Sequence, residues 1–123
     1  MIMTFDFSSN VPIYMQLRNQ IVIGIAEGKL SPGEQLPTIR ALAEESGINM
    51  MTVSKAYQML KQEGYIVTDR RSGARVAASP AVQIPSSAME SLRLNISELR
   101  LGGISKEDII ALCEKLYEEG DAK

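Results

Sequence analysis

The 123 residues carry 13 Lys and Arg against 15 Asp and Glu, a formal net charge of -2, with one cysteine and no histidine. A lone cysteine excludes an intrachain disulfide and a thiolate metal cluster within one chain, and the lack of histidine removes the commonest general base and metal ligand at neutral pH, which weighs against an enzyme. The charge is uneven: residues 1–80 hold 8 basic and 7 acidic side chains and residues 81–123 hold 5 and 8, so the local face of the N-terminal part stays compatible with a polyanion.

The opening MIMTFDFSSN has neither a basic stretch nor a long apolar run. No segment approaches the roughly 18 consecutive apolar residues of a membrane span. A cytoplasmic location without a membrane partner is expected, for a chain whose length fits one domain of ordinary size or a compact domain of about 75 residues with a small appendage.

Taken in chain order, the first periodic segment is PIYMQLRNQIVIGIAEGKL, where Ile13, Leu17, Ile21 and Ile25 line one face of a helix that starts near Pro12 and ends around Gly28. SPGEQLP then marks a turn with room for a very short strand at Gln35 and Leu36. TIRALAEES predicts a short helix with Thr38 as N-cap, Ile39, Leu42 and Ala43 inward, and Gly47 as its end. A further helix starts two residues later. Asn49 is its expected N-cap, with Ile48 and Val53 in the positions of a hydrophobic staple. Val53, Ala56, Tyr57 and Leu60 form its apolar stripe and Gly64 its stop. Two capped helices joined across a tight glycine turn are the helix-turn-helix pattern.

YIVTDRRSGARVAAS follows, two short apolar runs around a polar loop, with Gly73 available for a positive φ. Arg70 and Arg71 fall at the tip of this hairpin and Arg75 on its return strand. A helix-turn-helix followed by a basic hairpin is a winged helix. The composition changes at SPAVQIPSS, where Pro80 and Pro85 bracket a linker. Beyond it, Ser87 with Glu90 and Ser105 with Asp108 have the spacing of capping boxes for two further helices, separated by Gly102 and Gly103. Met89, Leu92, Ile96 and Leu99 stripe the first, and Ile109, Leu112, Cys113 and Leu116 the second. Cys113 reads as a small buried hydrophobe rather than a redox sensor. Two helices of about 15 residues cannot bury both stripes against each other, so a core shared with a second copy is expected.

The run LSPGEQLPTIRALAEESGINMMTVSKAYQMLKQEGYIVTDRRSGARVA resembles the DNA-binding domain of the GntR family of bacterial transcription regulators, over roughly residues 11–78. The resemblance implies a mainly α fold with a small β-hairpin, a winged helix-turn-helix domain followed by an α-helical hairpin. On that reading residues 1–78 are the DNA-binding domain, with the helix-turn-helix about 38–57 and the wing about 65–78. Residues 79–86 are a linker, and residues 87–123 a two-helix dimerisation tail like that of the YtrA-like subfamily. Such a tail is too small to enclose a typical metabolite pocket; whether an effector exists is left open, and no cofactor is expected.

Carried over residue by residue, the resemblance assigns DNA contact to Thr38 and Arg40, to Asn49, Met50, Met51, Thr52 and Ser54, and to Arg70, Arg71 and Gly73. Lys55 joins them from the polar face of the second helix, opposite its apolar stripe, where Gln58 also lies, and Arg75 from the wing. Met89, Leu92, Ile96, Leu99, Ile109, Leu112 and Leu116 are the expected dimer contacts. Arginine is common in the family where Met50 and Ser54 stand, so two sources of guanine contacts are missing. Met51 points nearly opposite the apolar stripe and Met50 lies on its flank; thioether tips pack on thymine methyls and favour A·T. The expected function is a homodimeric repressor on an inverted repeat in double-stranded DNA. The alternative is a winged-helix protein-interaction adaptor.

Overall fold

The computed structural model describes residues 3–71, 73–78 and 86–121. The chain divides into two compact units, Met1–Val82 and Gln83–Lys123. The first contains α1 (Ile13–Ala26), α2 (Ile39–Ser46), α3 (Met50–Gln62) and the antiparallel strands β1 (Ile66–Asp69) and β2 (Gly73–Val76). The second contains α4 (Ser86–Leu101) and α5 (Lys106–Asp121). The expected mainly α architecture with a small hairpin is what the chain adopts.

Local sequence fixes where the helices of the first unit start and stop. Thr38 caps α2, its hydroxyl accepting the Ala41 N–H at 3.0 Å, and Asn49 caps α3, its Oδ1 accepting the Met51 N–H at 2.7 Å. Gly47 and Gly64 adopt φ of 68° and 87°, the left-handed conformation that ends a helix at low cost only for glycine.

The core forms where the stripes meet. Leu17 and Ile21 from α1, Leu42 and Ala43 from α2, and Val53, Ala56, Tyr57 and Leu60 from α3 pack with Ile66, Ala74 and Val76 of the hairpin. Ile48 packs against this cluster, of which Val53 is a member. Each fully buried Leu or Ile side chain stabilises the fold by about 1.5–3 kcal/mol relative to exposure. The very short strand expected at Gln35 and Leu36 is a single bridge, Gln35 with Arg75.

Two long-range ties hold α1. Arg18 Nη2 lies 2.7 Å from Glu63 Oε2 just past α3, and the Glu63 carboxylate raises the already high pKa of this guanidinium. The N-terminal strap lies along α1, where Gln16 Nε2 donates to the carbonyls of Asp6 and Val11 at 2.9 Å each, while Gln20 Nε2 donates to Thr4 O at 2.7 Å.

The second unit departs from expectation in two places. Its first helix begins at Ser86, which puts Ser87 inside the helix instead of at the cap. Residue 86 of the expected linker is thus helical; residues 79–85, with Pro80 and Pro85, lie outside the described residues. Cys113, expected in a buried stripe, is exposed. The cause is geometric. Two neighbouring helices cover only the seam between them, and of the stripe residues Ile109 alone is buried, while Met89, Leu92, Leu112 and Leu116 stay exposed in the single chain. The cap at Ser105 does form, its hydroxyl accepting the Asp108 N–H at 3.1 Å.

Candidate nucleic-acid interface

Helix α3 buries Val53, Ala56, Tyr57 and Leu60, and this fixes which of its residues face outward. Met51 is 78% exposed and Met50 50%, so the first methionine is partly covered by the domain and the second projects, as the helical spacing requires. The helix is packed most closely against α1 and also meets α2 and β1.

A groove of about 490 Å³ runs between the start of α2, the middle of α3 and the hairpin. Thr38, Arg40, Ser54, Gln58, Lys61 and Gly73 are among its lining residues, and Tyr57 forms part of its wall. The fold thereby brings together Thr38, Arg40, Ser54 and Gly73, which the sequence had assigned from three separate segments. Lys61 and Gln58 line the groove beyond the residues assigned DNA contact above. The signal was present, since Ser54, Gln58 and Lys61 follow one another at four and three residues along one helix face.

Capping leaves these polar groups partly available. The Thr38 hydroxyl accepts from the backbone and still has its own proton to donate; the Asn49 amide uses Oδ1 for the cap and keeps two N–H donors. A phosphate or base acceptor is what such donors suit, the more so at a helix N-terminus. Arg40 is exposed and only loosely paired with Glu44, at 3.8 Å, an arrangement worth little in water. Its guanidinium can exchange that partner for a phosphate.

Lys55 and Arg75 are held more firmly. Lys55 Nζ stands 4.0 Å from the centroid of the Tyr14 ring of α1. Arg75 Nη1 donates to the carbonyl of Gly33 at 3.3 Å, so this arginine braces the hairpin against the turn before α2. Thr52 is half-buried on the flank of α3. Arg70 and Arg71 are exposed at the hairpin tip, where the Asp69 carboxylate accepts the Arg71 N–H at 2.7 Å and Gly73 takes φ of 73° to begin the return strand. Among the described residues there is no cluster of His, Cys, Asp and Glu able to hold a metal ion, and no helix long and apolar enough to cross a membrane.

A helix-turn-helix whose second helix turns an open polar face outward beside a hairpin with arginines at its tip defines a winged-helix domain of the nucleic-acid-binding type. Residues 13–76 match the sequence profile described as "Bacterial regulatory proteins, gntR family", and the chain belongs to that family of transcription regulators, which are not enzymes. It is 33% identical to the HTH-type transcriptional repressor YtrA of Bacillus subtilis (strain 168), a match covering 76% of this chain and 72% of YtrA, and it is of the YtrA-like type. By contrast, the 43% identity to the regulator YdcR of Escherichia coli (strain K12) covers 58% of this chain and only 15% of YdcR. Among solved structures, the transcriptional antiterminator from Listeria monocytogenes EGD-e superposes with a TM-score of 0.89 at 29% identity, covering 100% of this chain and 95% of that one. AraR(DBD) in complex with operator ORX1 superposes with a TM-score of 0.56 at 26% identity, covering 63% of this chain and 96% of that one.

Proposed function

We propose that the chain is a sequence-specific repressor that binds double-stranded operator DNA as a homodimer in the cytoplasm. The observation that carries this reading is the groove at which the start of α2, Ser54, Gln58 and Lys61 of α3, and the hairpin meet. Resemblance to YtrA and to the operator-bound AraR(DBD) supports it.

In this reading α3 enters the major groove with Met50, Met51 and Ser54 toward the base edges. Thr38 and Arg40 meet one phosphate backbone, and Arg70, Arg71 and the turn at Gly73 meet the other or the adjacent minor groove. Residues 1–78 are then the DNA-binding part and residues 87–123 the dimerisation part. A second copy covers the exposed apolar residues Met89, Leu92, Leu112 and Leu116 and extends the seam around Ile96, Leu99 and Ile109. Two such domains read half-sites of an inverted repeat about one helical turn apart, and the protein represses by occupying a promoter.

The test is selection of bound fragments from random and genomic DNA, followed by gel shifts at moderate salt and sedimentation of the free protein. An inverted repeat and a dimer are the expected results. Equal affinity for selected and random DNA would overturn the reading and favour a protein-interaction adaptor.

A further inference from the structure

Residues 33–37 are fastened on two sides. Toward the hairpin, Gly33 N–H donates to Val76 O at 3.0 Å, Val76 N–H to Glu34 O at 2.9 Å, and Leu36 N–H to Ala74 O at 2.8 Å. Toward the recognition helix, the Tyr57 hydroxyl donates to the carbonyl of Pro37 at 2.8 Å. The next residue is Thr38, the cap of α2, and Arg40 lies in the first turn after it. The side chain of Tyr57 belongs to the core cluster and is 5% exposed, so its hydroxyl is placed by packing and not by solvent.

The three parts that face the groove therefore meet at one short segment. Nucleic-acid phosphates are fixed in spacing, so elements that contact them together bind best when their separation is set beforehand. We propose that Tyr57 is a positioning residue for DNA recognition: by holding the Pro37 carbonyl it sets the start of α2, and the hairpin tied to the same segment, at a fixed distance from α3. This rests on the DNA-binding reading above. The residue touches no DNA itself; it acts through Thr38 and Arg40.

The bond is also what any buried tyrosine needs to satisfy its hydroxyl, and a purely structural role makes different predictions. Tyr57→Phe removes one oxygen and keeps the ring, so the packing survives. For a positioning role, affinity for a selected operator falls by about tenfold in Tyr57→Phe. The slope of log K against log salt also flattens by about one unit, as an ordered phosphate contact is lost. Arg40→Ala then costs clearly less in the Y57F background than alone, because the two changes remove one shared contribution.

Unchanged affinity, an unchanged salt slope, or additive effects of the two substitutions overturns the proposal, and thermal melts of each variant separate any loss of folding from loss of binding. If the unsubstituted protein shows no preference for a selected fragment, the DNA-binding reading itself fails and the proposal with it. Specific binding that Tyr57→Phe leaves untouched overturns the positioning role alone.

Discussion

The ammonium of Lys55, an exposed residue of α3, lies 4.0 Å from the centroid of the Tyr14 ring on α1. A lysine counted on sequence grounds as a free groove contact is thus oriented by an aromatic side chain 41 residues earlier in the chain. An exposed cation–π contact is worth about 0.5–1 kcal/mol, enough to bias where the ammonium points. Tyr14→Leu should leave the fold intact and weaken operator binding by about twofold to fivefold. Anisotropy titrations at two salt concentrations check this, and an unchanged affinity would show that Lys55 needs no such guide.

Asn49 serves two functions that a single substitution separates. Its Oδ1 caps α3, and as an exposed residue it keeps two amide N–H donors. Asn49→Asp keeps the acceptor and adds negative charge at a helix N-terminus, so unfolding stability should hold or rise by a few tenths of a kcal/mol. DNA affinity should drop by tenfold or more through lost donors and repulsion of phosphate. Asn49→Ala should instead lower stability by about 1 kcal/mol in urea unfolding.

Leu60 is fully buried in the core cluster of the first unit. Leu60→Ala should destabilise the first unit by about 2–5 kcal/mol, through lost transfer energy and the cavity left behind. A shift of the urea midpoint without change in m would show that the core is lost as one cooperative unit.

Met50 and Met51 should set base preference at their positions. Thioethers pack on thymine methyls, whereas an arginine offers a bidentate fork to guanine. Met50→Arg should move the selected operator toward G·C at one position in each half-site. An unchanged selection profile would mean that the half-covered Met50 only fills space.

Burial raises the Tyr57 hydroxyl well above its ordinary value of 10.0. A group whose pKa rises on folding contributes stability that is complete below its unfolded value, near pH 10, and is lost as pH climbs toward the folded one. Stability should therefore decline above pH about 10. The decline should be shallower in Tyr57→Phe, and equal slopes for the two proteins in alkaline unfolding would contradict this assignment.

Much of the fold was written in local chemistry. Thr38, Asn49 and Ser105 accept backbone N–H groups at the starts of α2, α3 and α5; Gly47, Gly64 and Gly73 supply the positive φ; and the spacing of Val53, Ala56, Tyr57 and Leu60 names the buried side of α3. These signals act over about one helical turn, so the residues within that turn suffice to specify them. The outward faces of Met50 and Met51 follow from the same periodicity.

What the sequence could not determine is how segments far apart in the chain meet. Tyr57 with Pro37, Arg75 with Gly33, Lys55 with Tyr14 and Arg18 with Glu63 are separated by 20, 42, 41 and 45 residues, and no local pattern encodes such pairs. They decide which assigned cations are free and which brace the domain: Arg75 is tied to the turn before α2, while Arg70 and Arg71 remain exposed at the hairpin tip. The exposure of Cys113 has the same origin, because a stripe predicts burial only when a partner surface exists to cover it, and a single helical hairpin offers just one seam.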